Sequence, residues 1–182
     1  MRIISGQFKG RKLQAPKNLP VRPTTDMAKE ALFNILNNNY YFDELSVLDL
    51  FAGTGNISYE FASRGTRQIM AVDGHYGCIK YINQTASQFD MPIQTIKSDV
   101  FKFLEHYKTK HTIIFADPPY NFDLEAFSKI PELVFKNNVL EPHGYLIIEH
   151  SKHTNLSLLE YFSHSKSYGG SVFSFFELPK AD

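Results

Sequence analysis

Tryptophan is absent from this 182-residue chain, and cysteine is nearly so, Cys78 being the only one. A single cysteine excludes an internal disulfide and any multi-cysteine metal site. The seven histidines show no metal-ligand spacing such as His-x-x-x-His on a helix, so surface or loop positions are expected for them and no metal is. No stretch of 18 consecutive apolar residues occurs, which argues against a transmembrane helix. Met1–Gly10 carries two basic residues and no apolar run, unlike a secretory signal. Net charge is lacking as well, since 19 Lys and Arg balance 19 Asp and Glu. These absences point to a cytoplasmic protein. What the chain does have is 43% hydrophobic residues, including 16 Phe and 10 Tyr, ample for one well-packed domain over residues 1–182.

A neutral chain is not an obvious nucleic-acid binder, but here the charge is unevenly spread. Residues 1–29 hold seven basic side chains (Arg2, Lys9, Arg11, Lys12, Lys17, Arg22 and Lys29) against one acid, Asp26, and the remainder is net acidic. A basic arm on an acidic body is a frequent layout for binding a phosphate backbone. A solvated tail that is basic by accident is the competing explanation.

Met1–Gln14 predicts a short hairpin about a glycine-containing turn, and Ala15–Pro23, with three prolines, an extended loop. A helix capped by Thr24 or Thr25 follows, with Ala28, Ala31, Leu32, Ile35 and Leu36 on one face. From Ser46 onward strands and helices alternate. Strands are expected at Val47–Leu50, Gln68–Val72, Ile93–Lys97, Thr112–Ala116 and Gly144–Glu149. Helices are expected at Ile57–Ser63, Gly77–Phe89, Val100–His106, Leu124–Lys136 (broken near Pro131) and Leu156–Phe162. Lys166–Tyr168 and Ser171–Leu178 read as a closing antiparallel hairpin at the sheet edge. This order argues for an α/β, doubly wound, mostly parallel sheet. Residues 1–45 then form a basic hairpin-and-helix extension, and 46–182 the catalytic core.

Open α/β sheets bind ligands at the carboxyl ends of their strands, and four carboxylates fall there. Asp49 precedes Leu50-Phe51-Ala52-Gly53-Thr54-Gly55, a glycine turn that allows close backbone approach. Asp73 closes the second strand, placed to accept hydrogen bonds from ribose hydroxyls, and Asp99 follows the third, within reach of an adenine amine. Asp117 closes the fourth. The turn is neither Gly-x-Gly-x-x-Gly nor a P-loop, so a nucleoside without pyrophosphate suits it better than NAD or ATP. S-adenosylmethionine is such a ligand, and carboxylates suit its cationic sulfonium. Taken singly, an aspartate closing a strand is more often a turn-former or helix cap; their joint order carries the weight.

Asp117-Pro118-Pro119-Tyr120 is the most specific motif. Two prolines remove two donors and fix the turn, so neighbouring carbonyls point in defined directions. Asp117 and the Pro118 carbonyl can accept both hydrogens of a planar NH2 group, freeing a lone pair otherwise conjugated into a base. Such positioning lowers barriers by up to about 10 kcal/mol. Tyr120 stacking on the base is worth about 1–3 kcal/mol. A base within a duplex must first be flipped out. A plain proline turn with a core tyrosine is the alternative.

Together these residues resemble the class I S-adenosylmethionine-dependent methyltransferases, and more narrowly the RsmD family of bacterial 16S rRNA guanine-N2 methyltransferases. Met1-Arg2-Ile3-Ile4-Ser5-Gly6, Gly10-Arg11-Lys12-Leu13, Arg22-Pro23-Thr24-Thr25-Asp26 and Lys29-Glu30-Ala31-Leu32-Phe33 carry the narrower likeness, with Ser63-Arg64-Gly65 and Tyr168-Gly169. The resemblance implies a seven-stranded, mostly parallel Rossmann-like sheet with an antiparallel C-terminal strand. It implies S-adenosylmethionine held by Asp49, Phe51, Gly53, Gly55, Asp73, Asp99 and Val100, and a target guanine held by Asp117, Pro118, Pro119 and Tyr120. RNA contacts would fall to Lys9, Arg11, Lys12, Arg22, Thr24 and Thr25. The implied substrate is 16S rRNA within the small ribosomal subunit or an assembly intermediate, acted on by a monomer. Asp73 stands where the family has Glu, and Asn56 where a small apolar residue is usual. Two rivals remain: adenine-N6 methylation of DNA or RNA, which the same motif serves, and a non-catalytic RNA-binding assembly factor. Sequence-specific DNA enzymes usually carry a target-recognition domain, and the strands and helices after Tyr120 leave no room for one. Protein glutamine methylation fits less well, because those enzymes carry Asn in place of Asp117.

Overall fold

The computed structural model describes residues 1–22 and 24–181. Pro23, which closes the expected loop and stands within the family-like Arg22–Asp26 stretch, lies outside the described residues. Seven strands form one sheet: β1 (Ser46–Leu50), β2 (Gln68–Asp73), β3 (Ile93–Lys97), β4 (His111–Ala116), β5 (Leu140–Ser151), β6 (Phe162–Tyr168) and β7 (Ser171–Phe176). Their spatial order is β3-β2-β1-β4-β5-β7-β6. The first five run parallel, and β7 inserts antiparallel between β5 and β6. The expected architecture is thus found.

Alternation along the strands builds two cores. Val47, Ile69, Ile113, Phe115 and Ile147 face α1 (Asp26–Asn37), α2 (Asn56–Ser63) and α3 (Tyr76–Gln88). Leu48, Leu50, Ile114, Ala116 and Ile148 face α4 (Val100–His106) and α5 (Leu124–Lys136). Strands apolar on both faces are what a sheet covered on both sides requires. Helix starts follow capping chemistry: Thr25, Asp99 and Asp123 each accept from a backbone N–H of the first turn. No helix among the described residues is long and apolar enough to cross a membrane.

Three expectations need correction. Helix α5 runs through Pro131 unbroken. Pro131 offers no N–H to the Phe127 carbonyl, yet Phe127, Ile130, Pro131 and Val134 are all buried, and that packing outweighs the local loss. Leu156–Tyr161 is a chain of turns rather than a helix, and Phe162 already opens β6, ahead of the expected start at Lys166. There Tyr161 sits at φ +66°, outside helical space, Asn155 accepts from Ser157 N–H, and Leu158 is 94% exposed. Strand β5 begins at Leu140 rather than Gly144, continuing through a register shift opposite β4.

The N-terminal hairpin is reduced to one bridge, Arg2 with Lys12, but it is firmly docked. Buried Glu60 of α2 accepts from Ile4 and Ser5 N–H at 2.9 and 3.0 Å. It also pairs with Lys29 at 3.4 Å and Arg64 at 3.0 Å. Lys29 is fully buried, and donates to the Arg2 carbonyl and Asn56 Oδ1. It is therefore a structural cation rather than part of the basic surface.

Candidate active site

The carboxyl edge of β1, β2, β3 and β4 opens into a cleft of about 820 Å³. Asp49, Asp73, Asp99 and Asp117 all line it, as do Phe51, Gly53, Val100, Pro118, Pro119, Tyr120, Arg22 and Thr24. Four aspartates face one lining Arg, so the cleft favours a cationic ligand over a polyphosphate.

At its floor Asp49 is 2% exposed and accepts from Ser58 Oγ at 2.6 Å. Burial pushes its carboxyl up to about 7, the Asp73 charge adding to the effect and Ser58 opposing it. Asp73 accepts from Gly53 N–H at 2.9 Å and His75 N–H at 2.8 Å, tying the turn after β1 to the end of β2. Each oxygen keeps a lone pair for a ligand hydroxyl. Asp99 is exposed and caps α4 through Lys102 N–H. The helix-cap role and the cleft position therefore coincide in one residue. Phe51, at φ +56°, packs edge-on to Phe101 and Phe122, making an aromatic wall beside Val100. Phe122 was not foreseen from the sequence.

The two turn glycines differ. Gly53, at φ +57°, lines the cleft. Gly55 does not; at φ +86° it caps α2, and a Cβ there would stand 2.8 Å from the Tyr59 ring. The close approach that requires a glycine at 55 is therefore made by the protein's own core.

Asp117 ends β4 with a carboxylate that accepts no hydrogen bond among the described residues. Burial, then the charges of Glu149 and Asp49, raises its pKa well above that of an ordinary carboxyl. Pro118 is buried beneath it, and Tyr120, 67% exposed, stands at the mouth with the Arg22 guanidinium 5.5 Å from its ring centre.

Leu19–Arg22, expected as loop, and Thr24, expected as a possible helix cap, form a strap across this edge. Leu19 lies against Gly77 at the start of α3, and Val21 lies 3.3 Å from where a Cβ on Gly53 would stand. Arg22 covers Tyr120 and Thr24 reaches Glu149 of β5, so the strap passes the ends of β2, β1, β4 and β5 in their spatial order. Thr24 is consequently buried with its hydroxyl engaged by Glu149, and Thr25 caps α1. Lys9, Arg11 and Lys12 are exposed on the docked hairpin, outside the cleft, with Arg11 stacked 4.3 Å over Phe89. Asn56 donates to the Thr24 carbonyl and accepts from Lys29, so its amide is consumed in holding the strap. Glu149 was missed, although it bears the signal read at the other strands: an acid closing an apolar run. Among the described residues no cluster of three or more metal-ligating side chains occurs.

This strand order, with an acid-rimmed cleft and Asp-Pro-Pro-Tyr at the end of β4, is that of a class I methyltransferase. A family model described as conserved hypothetical protein 95 matches residues 1–177. The ribosomal RNA small subunit methyltransferase D of Escherichia coli is 33% identical over 150 residues, 82% of this chain and 71% of that protein. The chain belongs to this family, the RsmD family of methyltransferases. A hypothetical protein of Thermus thermophilus has a solved structure with a TM-score of 0.84 at 25% identity, covering 98% of this chain and 99% of that one. A 16S rRNA N2 methyltransferase of Thermus thermophilus, solved with AdoMet and guanosine, shares the fold. Its TM-score is 0.62 at 19% identity over 87% of this chain and 45% of that one.

Proposed function

We propose that this protein uses S-adenosylmethionine to methylate the exocyclic N2 amine of a guanine in 16S rRNA, presented by the small ribosomal subunit or its assembly intermediate. The observation that carries the reading is the unpartnered Asp117 carboxylate facing an acid-rimmed cleft beside two prolines and an exposed tyrosine. The name of the Escherichia coli relative supports the substrate class.

The cleft suits S-adenosylmethionine on its own chemistry. Its carboxylates match a sulfonium, Asp73 and Asp99 match ribose and adenine, and the Phe51–Phe122 wall matches an aromatic ring. Asp49, Phe51, Gly53, Asp73, Asp99 and Val100 would hold the cofactor, with Gly55 supporting the turn from behind. When bound, S-adenosylmethionine supplies an electrophilic methyl carbon. The protein's own part is to hold the nucleophile. Asp117 and the Pro118 carbonyl take the two amine hydrogens, and Asp117 is placed to accept the proton the amine sheds. Tyr120 and Arg22 offer faces on which an extruded base stacks. Residues 46–181 act as the catalytic core, and the docked arm, with Lys9, Arg11 and Lys12, meets the phosphate backbone.

The test is transfer of labelled methyl to small subunits lacking the modification, with nucleoside analysis. N2-methylguanosine is expected, and Asp117→Ala should lower kcat by about 10²–10⁴-fold while leaving RNA affinity near wild type. N6-methyladenosine as product would move the function to adenine methylation. No transfer to any subunit, intermediate or DNA, despite tight RNA binding, would make the protein a non-catalytic assembly factor.

A further inference from the structure

Glu149 is 6% exposed near the end of β5, and no cation pairs with it among the described residues. Both of its oxygens accept from hydroxyls, Thr24 Oγ1 at 2.6 Å and Ser171 Oγ at 2.8 Å. A buried carboxylate is costly unless hydrogen-bonded, and here two hydroxyls from opposite ends of the chain supply the compensation. Thr24 is fixed at its other polar group as well, since its carbonyl accepts from Asn56 Nδ2 at 3.2 Å. Behind the catalytic turn, Glu149 shares a small cavity of about 20 Å³ with Asp117, Pro118 and Tyr120.

We propose that Glu149 is a positioning residue: through Thr24 it latches the strap over the cleft, and it places a second carboxylate behind Asp117. The latch fixes Arg22, two residues upstream, above Tyr120, so the rim on which the base stacks depends on a bond made at β5. Burial raises the pKa of both carboxylates, but two hydroxyl donors oppose the rise at Glu149 and none does at Asp117 among the described residues. Asp117 is therefore the first of the two to take up a proton as pH falls, and it must be ionised to accept from the amine. Besides Glu149, Asp117 is faced by Asp49 from β1, by Tyr120 of its own turn and by Arg22 of the strap. His150 of β5 completes the surroundings; burial lowers its pKa, and its ring nitrogens bond the Ser151 carbonyl and the Ser174 hydroxyl. The catalytic consequence rests on the function proposed above. The latch itself does not.

The experiment compares wild type with Thr24→Val, Thr24→Ser and Glu149→Gln, first without any ligand. Hydrogen exchange at the amides of Leu19, Val21 and Arg22 should rise at least about tenfold in Thr24→Val and stay at the wild-type rate in Thr24→Ser. Carboxyl-carbon NMR should show Asp117 titrating at lower pH in Glu149→Gln, because a charge that disfavours its ionisation has gone. In the methyl-transfer assay, Thr24→Val should lower kcat about tenfold or more with little change in KM for S-adenosylmethionine, and Thr24→Ser should restore it. Glu149→Gln should move the acid limb of the kcat profile to lower pH. Unchanged strap exchange in Thr24→Val, or an Asp117 midpoint unmoved in Glu149→Gln, would overturn the assignment. If both ligand-free results hold while wild type methylates no guanine, the proposed reaction falls and the latch stands.

Discussion

Asp49 shows what a buried carboxylate at the floor of the cleft does to stability. Its carboxyl is pushed up to about 7 because burial disfavours its charge. A raised carboxyl favours the folded state while protonated, so its contribution is full below the unfolded value near 4 and is lost as pH rises through 7. Asn at 49 can still accept from Ser58 but does not titrate. The Asp49→Asn protein should therefore gain on wild type by roughly 3–4 kcal/mol between pH 4 and 8 without ligand, and bind S-adenosylmethionine more weakly. Parallel thermal midpoints across that interval would rule the raised carboxyl out. Gly55 makes a contrasting case. Gly55→Ala should cost more than about 1 kcal/mol in urea unfolding, through strain at φ +86° and the Tyr59 contact, with cofactor affinity little altered in whatever remains folded. From sequence the two glycines of the turn look equivalent. Only the position of Tyr59, a turn further along α2, separates them.

Among the elements, those with strong periodicity and a cap were legible: α1, α3, α4 and the five parallel strands lie within a few residues of expectation. What stayed hidden depends on contacts far along the chain. Leu156–Phe162 carries leucines at helical spacing, but Leu158 finds nothing to pack on and Tyr161 turns left-handed. The strap looked like a proline loop because nothing local says that Thr24 meets a carboxylate on β5. Lys29 was counted with the basic arm, since burial opposite Glu60 leaves no mark at neighbouring positions. That pair yields a prediction for the element it anchors. Glu60→Ala leaves Lys29 buried without its anion and Ile4 and Ser5 N–H without acceptors, a loss of about 3–5 kcal/mol. Protease cleavage near Phe8–Lys12 should then precede global unfolding. If that hairpin stayed resistant, some other interaction would have to hold it.

Over the whole molecule, the charge asymmetry in the sequence survives in reduced form. Lys29 is buried and the exposed Arg2 pairs with Asp26 at 3.2 Å, which leaves Lys9, Arg11, Lys12, Lys17 and Arg22 as the exposed basic side chains outside ion pairs among the described residues of the first 29. Neutralising Arg11, Lys12 and Arg22 together should weaken RNA binding. It should also flatten the logarithmic salt dependence by about 0.7 for every phosphate that the protein no longer neutralises. An unchanged slope would mean that this face does not meet RNA.

The Thr24–Glu149 bond joins residues 125 positions apart, and this bears on how the molecule is made. Loop closure over such a distance comes late, after local helices and hairpins have formed. A chain emerging from synthesis can form α1 and the first four strands while the strap still lacks its carboxylate. Nor can that carboxylate be fully satisfied until Ser171 has been added. The latch that starts at Thr24 is thus completed only by β5 and β7, long after the residues it holds have been made.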